Sequence, residues 1–398
     1  MIQSQVKEDR KREKEGVMAM KIVAIEPTPS PNTMKITLDK VLPSGKRNNY
    51  TMKNKEEAPA LIQAILDIEG VKGVYHVADF MAIERHPKAQ WQSLLQEVRS
   101  LFGEETESTS SPITEEAFGE VQVFIQMFRA IPMQVKVVSG EEEFRQGLPE
   151  RFQTAVFQAE KFGGNIVMER KWKEAGVRYG SDLKEIGEEV KEEIAAAYPE
   201  DRLERLVKLA EKGEDARKTE KRFKKVTLEM FDQPDWRERY ALLEQLDPTE
   251  DDLPLLEKAL EDEKSSIRRL AVVYLGMIEK PVVLPLLRKA LQDPSVTVRR
   301  TAGDCYSDLG DPRGIPDMIE ALNDKNKLVR WRAAMFLYEV GDESAIPALK
   351  KAANDPEFEV AMQAKLALER IERGEEAKGS VWKQMTEHLE ESRQGKES

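Results

Sequence analysis

The chain has 398 residues, 62 lysines and arginines against 74 aspartates and glutamates, and a formal net charge of −12. That length suits two or three domains, and the acidic balance argues against non-specific nucleic-acid binding, which needs a basic face. No apolar run approaches the ~20 residues that cross a bilayer, the charged first 16 residues lack the apolar stretch of a secretory signal, and the single cysteine, Cys305, excludes an internal disulfide and suits a reducing cytoplasm.

Residues 1–19 read as a polar leader. Lys14-Glu15-Gly16-Val17 is the peptide a purine-rich ribosome-binding site would encode in frame, so translation is expected to begin at Met18 or Met20. Residues 20–105 form the first domain. Apolar and polar residues alternate over 21–26 and 33–38, which predicts two half-buried strands. Pro27-Thr28-Pro29-Ser30-Pro31-Asn32 joins them as a stiff turn. A short third strand is expected at 50–52, and a helix over 56–68 with Leu61, Ala64, Ile65 and Ile68 on one side. Gly70 caps that helix. A hairpin over 71–77 and 80–84 and an amphipathic helix over 91–102 complete an α+β domain.

The Pro-x-Pro-Asn-Thr connector, Gly70, Gly73, Phe80 and the tryptophan-led helix at Trp91 resemble the N-terminal domain of Nfu/NifU-type iron–sulfur scaffold proteins. The resemblance implies a fold and a docking surface. That family holds its cluster on a Cys-x-x-Cys pair in a separate domain, and thiolates are the usual cluster ligands; this chain has no such pair. His76 and His86 lie ten residues apart with no third ligand at metal spacing, so they read as edge or surface histidines. A metal or cluster carrier using His76, His86 and Cys305 is one alternative reading.

Residues 106–117 are acidic, Ser/Thr-rich and aperiodic, and read as a linker. In 118–225, strands are expected at 120–127, 132–138, 165–171 and 177–179, and helices at 149–162 and 182–197. This order of elements repeats that of the first domain and suggests a diverged copy. Joined to the repeats that follow, the segment is similar to the conserved virulence factor C family of Firmicutes, in which an Nfu-like N-terminus and HEAT-like repeats share one chain. Glu141, Glu142, Glu143, Glu169, Glu174 and Asp182 lie near Arg145, Arg151 and Arg170 in sequence. Paired acids can do acid–base work when burial separates their pKa values, so a lyase-like enzyme is a second alternative, although charge runs are usually solvated faces. Gly163-Gly164 lacks the Gly-Lys-Ser/Thr of a phosphate loop. The basic run 202–225 reads as a solvated helix leading into the array.

Residues 226–375 repeat every 31 positions. Pro254, Pro285, Pro316 and Pro347 keep the period, as do Asp262, Asp293, Asp324 and Asp355, and Ala271, Ala302, Ala333 and Ala364. Such self-similarity marks a solenoid whose units bury their apolar faces on one another. Helix A is expected at 253–260, 284–291, 315–322 and 346–353; helix B begins near Ile267, Val298, Val329 and Val360. Trp236, one period before Ile267, opens an incomplete leading unit. Asp-x-x-x-x-Val-Arg resembles the HEAT repeat. Arg268, Arg299 and Arg330 match that pattern and are expected to pair with turn aspartates as a ladder. Arg269, Arg300 and Arg332 are the better candidates for a basic strip that binds an acidic protein partner. No histidine lies between His86 and His388, which excludes the two-iron HEAT-like hydroxylases. Cys305 reads as a packed helix-interior residue. In 376–398, a helix at 381–389 carrying Trp382 and Met385 is expected to cap the array before a tail.

The sequence thus predicts a multidomain chain: an N-terminal Nfu-like α+β domain, a middle α+β domain and a C-terminal all-α HEAT-like solenoid. The expected role is a non-enzymatic, cytoplasmic, protein-binding scaffold or adaptor with no cofactor, no metal, no membrane and no nucleic-acid partner. The resemblances imply association with virulence, or an accessory part in iron–sulfur protein maturation without a bound cluster.

Overall fold

The computed structural model describes residues 20–28, 30, 32–40, 47–77, 80–86, 89–103, 120–140, 142–212 and 223–374. The expected leader, the linker and the helix at 381–389 lie outside them. In the first module β1 (Ile22–Pro27), β2 (Thr33–Leu38), β3 (Arg47–Thr51), β4 (Val71–Val77) and β5 (Phe80–Arg85) form an antiparallel sheet in the order β1-β2-β5-β4-β3. Every second residue of β2 and β5 is buried, as the alternation requires. Ile36, Val74, Met81 and Ile83 share one core with Ile62 and Ile65 of α1 (Ala60–Leu66) and Leu94 and Val98 of α2 (Trp91–Leu101). The helix expected over 56–68 is divided: a 3-10 turn spans Lys55–Glu57, and α1 starts after Pro59. Proline disfavours helical backbone in its predecessor, and Ala58 is extended at φ −79° and ψ 151°. Gly70 has φ 94°, and a Cβ there would lie 2.5 Å from the Cβ of Ala89.

The middle module holds β6 (Glu120–Phe128), β7 (Ile131–Ser139), β8 (Glu142–Gly147) and β9 (Lys171–Tyr179) in the antiparallel order β8-β7-β6-β9. Its helices are α3 (Glu150–Glu160), α4 (Ile166–Glu169), α5 (Leu183–Ala197) and α6 (Glu200–Lys212). Two expectations are corrected, and one strand is new. The acidic stretch after Ser139 is a strand, β8, whose exposed side chains hide its periodicity. The strand expected at 165–171 is the single turn α4, because the Asn165 side chain accepts from the amides of Val167 and Met168 and caps it. The module is no copy of the first. Its three leading strands run as a meander with β9 returning beside β6, whereas β3 of the first sheet lies at the far edge beside β4.

The array opens with α7 (Trp236–Leu243). Four helix pairs follow: α8 (Leu253–Ala259) with α9 (Ser265–Ile278), α10 (Leu284–Ala290) with α11 (Val296–Leu309), α12 (Ile315–Ala321) with α13 (Lys327–Val340), and α14 (Ile346–Ala352) with α15 (Phe358–Glu372). Proline sits in the first turn of each A helix, where a missing N–H costs nothing. Ala271, Ala302, Ala333 and Ala364 are each 0% exposed, so a larger side chain would overpack the array's core.

The consensus arginines form the expected ladder. Nε and Nη2 of Arg268 donate to Asp293 at 2.7 and 3.0 Å, those of Arg299 to Asp324 at 2.7 and 3.1 Å, and those of Arg330 to Asp355 at 2.7 and 3.0 Å. Each Nη1 meanwhile donates to two carbonyls of its own preceding turn, as Arg299 does to Asp293 and Pro294. One side chain therefore ties its own turn to the next repeat's. Arg239 extends the ladder backward, with Nε 2.6 Å from Asp262. It is the fourth residue of α7, as Arg268 is of α9. The leading unit thus aligns Trp236 with Ser265, two residues from the expected register against Ile267.

Candidate functional site: the arginine face of the array

Arg269, Arg300 and Arg332 project from successive B helices, and the chain's own middle module meets the first two. Glu193 of α5 lies between two guanidinium groups: Arg178 Nη2 of β9 at 2.9 Å and Arg269 Nη2 at 3.3 Å. Burial raises the Glu193 pKa, but Arg269 and Arg178 more than offset it and hold the carboxyl below its usual value. Lys264 adds a contact with Glu192 at 3.1 Å. One repeat further on, Arg300 donates to the Tyr179 hydroxyl at 3.1 Å and stacks 4.8 Å from that ring's centroid. Arg300 also pairs with Asp304, which Arg332 reaches at 2.6 Å. Tyr179 packs against the cluster of Leu328, Trp331, Met335 and Val360. The three arginines therefore line a closed seam.

Repeat periodicity explains the geometry. The position of Arg269 and Arg300 is taken in the third unit by Trp331, with Arg332 one place later. Gly303 leaves room for the shifted side chain: a Cβ there would lie 2.9 Å from Cγ of Arg332. Burial, and then the like charge of Arg332, lower the Arg300 pKa to about 9, so it stays charged at neutral pH.

Glu339 of α13 is buried, and burial pushes its carboxyl up to about 7, with Arg332 opposing and Asp308 reinforcing the shift. A carboxyl raised above its unfolded value favours the folded state at low pH. That contribution is lost as pH climbs from the ordinary value of 4.5 to about 7. Glu339→Gln is therefore expected to match wild type near pH ~5 and exceed it by about 2–3 kcal/mol at pH ~8. Urea unfolding at both pH values checks this, and parallel stability-versus-pH curves would contradict it.

The first module closes the other end. Phe358 and Met362 of α15 pack against its core. Arg85 of β5 is 1% exposed, stacks 5.1 Å from the Trp91 centroid and donates to Glu359 at 3.1 Å. The proline-rich connector, expected to be turn scaffolding, also joins modules: Ser30 Oγ donates to Glu120 of β6 at 2.9 Å and Asn32 Nδ2 at 3.3 Å.

The other candidates are dispersed. His76 is buried in β4, where burial lowers its pKa; His86 is half-buried after β5; Cys305 is buried in α11, its thiol pushed up to about 12 by burial and donating to the Val272 carbonyl. Among the described residues no group of three or more His, Cys, Asp or Glu side chains is placed to hold a metal ion. Glu143 pairs with Arg145, Glu169 with Arg129, and Asp182 caps α5, so the structure does not bring the middle-domain acids together. Arg151 donates to the Ala195 carbonyl, and Arg170 is exposed. Glu141 lies outside the described residues. Arg202, expected on a solvated helix, is buried against the Ala197 carbonyl and Glu244.

Glu193, Tyr179, Asp304 and Glu120 escaped the sequence reading. Asp304 carried a usable signal, because its equivalents in the other units are Val273, Met335 and Leu366. Glu193 carried none, standing in a helix of seven charged residues among fifteen.

Sequence comparison finds three family matches in succession along the chain. The chain matches the family described as scaffold protein Nfu/NifU N terminal over residues 22–109, the virulence factor family over 126–207, and HEAT repeats over 224–303 and 289–369. It is 64% identical over 372 residues to the Bacillus subtilis protein YpgR, which covers 92% of this chain and 98% of that one. The Staphylococcus aureus (strain MRSA252) conserved virulence factor C is 50% identical over 372 residues, covering 92% and 99%. A crystal structure of the Staphylococcus aureus protein SAV1430 is 39% identical, covers 21% of this chain and 98% of that one, and has a TM-score of 0.20. An Nfu-like module, a virulence-factor module and HEAT repeats in one chain, with such identity over nearly full length, place this protein in the conserved virulence factor C family.

Proposed function

We propose that the protein is a non-enzymatic, cytoplasmic adaptor whose HEAT-like array binds an acidic segment of a protein partner through Arg269, Arg300 and Arg332. The observation that carries this reading is Glu193, an acid of the chain's own middle module held between Arg178 and Arg269. The array already receives an acidic helix, and a partner would take that helix's place. The seam's polarity supports exchange. Nε atoms of Arg178, Arg269, Arg300 and Arg332 are buried without hydrogen-bond partners, whereas permanent interfaces are more apolar and better satisfied. The Nfu-like module supports an accessory part in iron–sulfur protein maturation, in which the adaptor docks on assembly or client proteins and binds no cluster. The ladder arginines Arg268, Arg299 and Arg330 contribute by holding the repeats in register.

The test is affinity capture with wild type and with Arg269→Glu, Arg300→Glu and Arg332→Glu combined, beside anaerobic incubation with iron and sulfide. The adaptor reading expects partners lost by the triple variant and no cluster absorbance in either protein. An unchanged partner set would remove the arginine face, and a bound cluster would make the chain a carrier.

A further inference from the structure

The middle module presents an apolar tip that the arginine face does not involve. Phe157, Phe162, Val167 and Met168 fall within twelve residues of chain and are 53%, 44%, 67% and 80% exposed. Inward positions of the same stretch are filled separately: Val156 and Ala159 are buried, and Ile166 packs against the module's core. The outward set is therefore surplus to folding.

A polar framework holds the tip in shape. The Asn165 side chain accepts from the amides of Val167 and Met168 at 2.9 and 3.2 Å, and the Asn165 backbone N–H donates to Glu169 at 3.0 Å. Arg129 braces Glu169 at 3.2 Å and the Ala159 carbonyl at 3.1 Å. Gly163 and Gly164 make the turn at φ 90° and 100°, which a side chain would strain. A slack loop would fold such side chains inward; this one displays them.

The surrounding charge opposes that of the whole chain. Residues 157–173 carry Lys161, Arg170, Lys171 and Lys173 against Glu160 and Glu169, a local balance of +2 (four cations less two acids) where the chain totals −12. The four cations are exposed. Lys173 pairs in register with Ile125, which packs on the helix-covered side of the sheet, so alternation places Lys171 and Lys173 on that side, next in sequence to the tip. Lysine is depleted from protein interfaces, whereas apolar side chains ringed by lysine and arginine suit the boundary of an anionic bilayer. Among the described residues no helix is long and apolar enough to cross a membrane, and peripheral contact needs none.

We propose that Phe157, Phe162, Val167 and Met168 dock the protein reversibly on an anionic lipid bilayer, with Lys161, Arg170, Lys171 and Lys173 facing its phosphates. Flotation of the full chain with phosphatidylcholine vesicles, plain or carrying about one third phosphatidylglycerol, tests this. Wild type is expected to float with the anionic vesicles and to be released by salt. Val167→Ser combined with Met168→Ser should lower partitioning by about tenfold or more at unchanged circular dichroism and thermal midpoint. Lys171→Glu with Lys173→Glu should weaken binding and flatten its salt dependence. Failure to float with anionic vesicles, equal binding by the serine variant, or a dimer in sedimentation that this variant dissociates would each overturn the proposal, the last by assigning the tip to a second copy.

Discussion

Glu193→Leu is expected to destabilise the protein by about 3–5 kcal/mol, because it strips the common anion from two guanidinium groups that stay buried. Glu193 is 5% exposed, and the side chains of Arg178 and Arg269 are 11% and 12% exposed. Water therefore cannot replace the carboxylate without opening the seam. Tyr240 lies within the same field; burial and then Glu193 push its hydroxyl well above its usual value, and it stays neutral. The sign of the pH effect follows from the lowered carboxyl. Its contribution is complete above the ordinary glutamate value of 4.5 and is lost as pH falls through the folded value. Wild type should therefore approach the variant's stability in acid. Urea unfolding followed by tryptophan fluorescence, at neutral and acidic pH, reads both effects. A neutral-pH loss below about 1 kcal/mol would mean that the pair is as weak as a surface ion pair.

The second large effect is expected at Arg299→Leu. That side chain is 4% exposed and satisfies four acceptors: both oxygens of Asp324 and the carbonyls of Asp293 and Pro294. Leucine supplies none of these donors, so Asp324 is left as an uncompensated, mostly buried charge, again at about 3–5 kcal/mol. In an array each repeat is stabilised chiefly by its neighbours. The loss should thus appear as separate unfolding of the last two helix pairs, with faster amide exchange in α13 and α15 than in α9. Arg313→Ala provides the contrast, since Arg313 pairs with Asp311 in solvent, and no measurable change is expected.

The ladder was legible because it is periodic: Arg268, Arg299 and Arg330 recur at 31 residues with their aspartates, and a solenoid must repeat what holds its units together. The array's A helices, the buried alanines and the first sheet's hairpin were legible for the same reason, since each is a local or periodic demand on residue type. The seam was not. Glu193 differs in nothing local from its charged neighbours in α5, and only tertiary folding brings it 76 residues back onto Arg269. Asp304 lies between these cases, visible as a polar break in an apolar row but without any pointer to Arg332. The 165–171 strand failed because Ile166 and Val167 favour strand locally while one capping side chain, Asn165, favours helix.

The central claim is that the array's arginine face is an internal dock for the middle module, and a double-mutant cycle between Glu193→Leu and Arg269→Met tests it most directly. The account predicts a coupling of about 1.5 kcal/mol or more, with the double variant more stable than the sum of the single losses allows. Losses that add within about 0.5 kcal/mol would contradict it, since residues that do not interact behave additively.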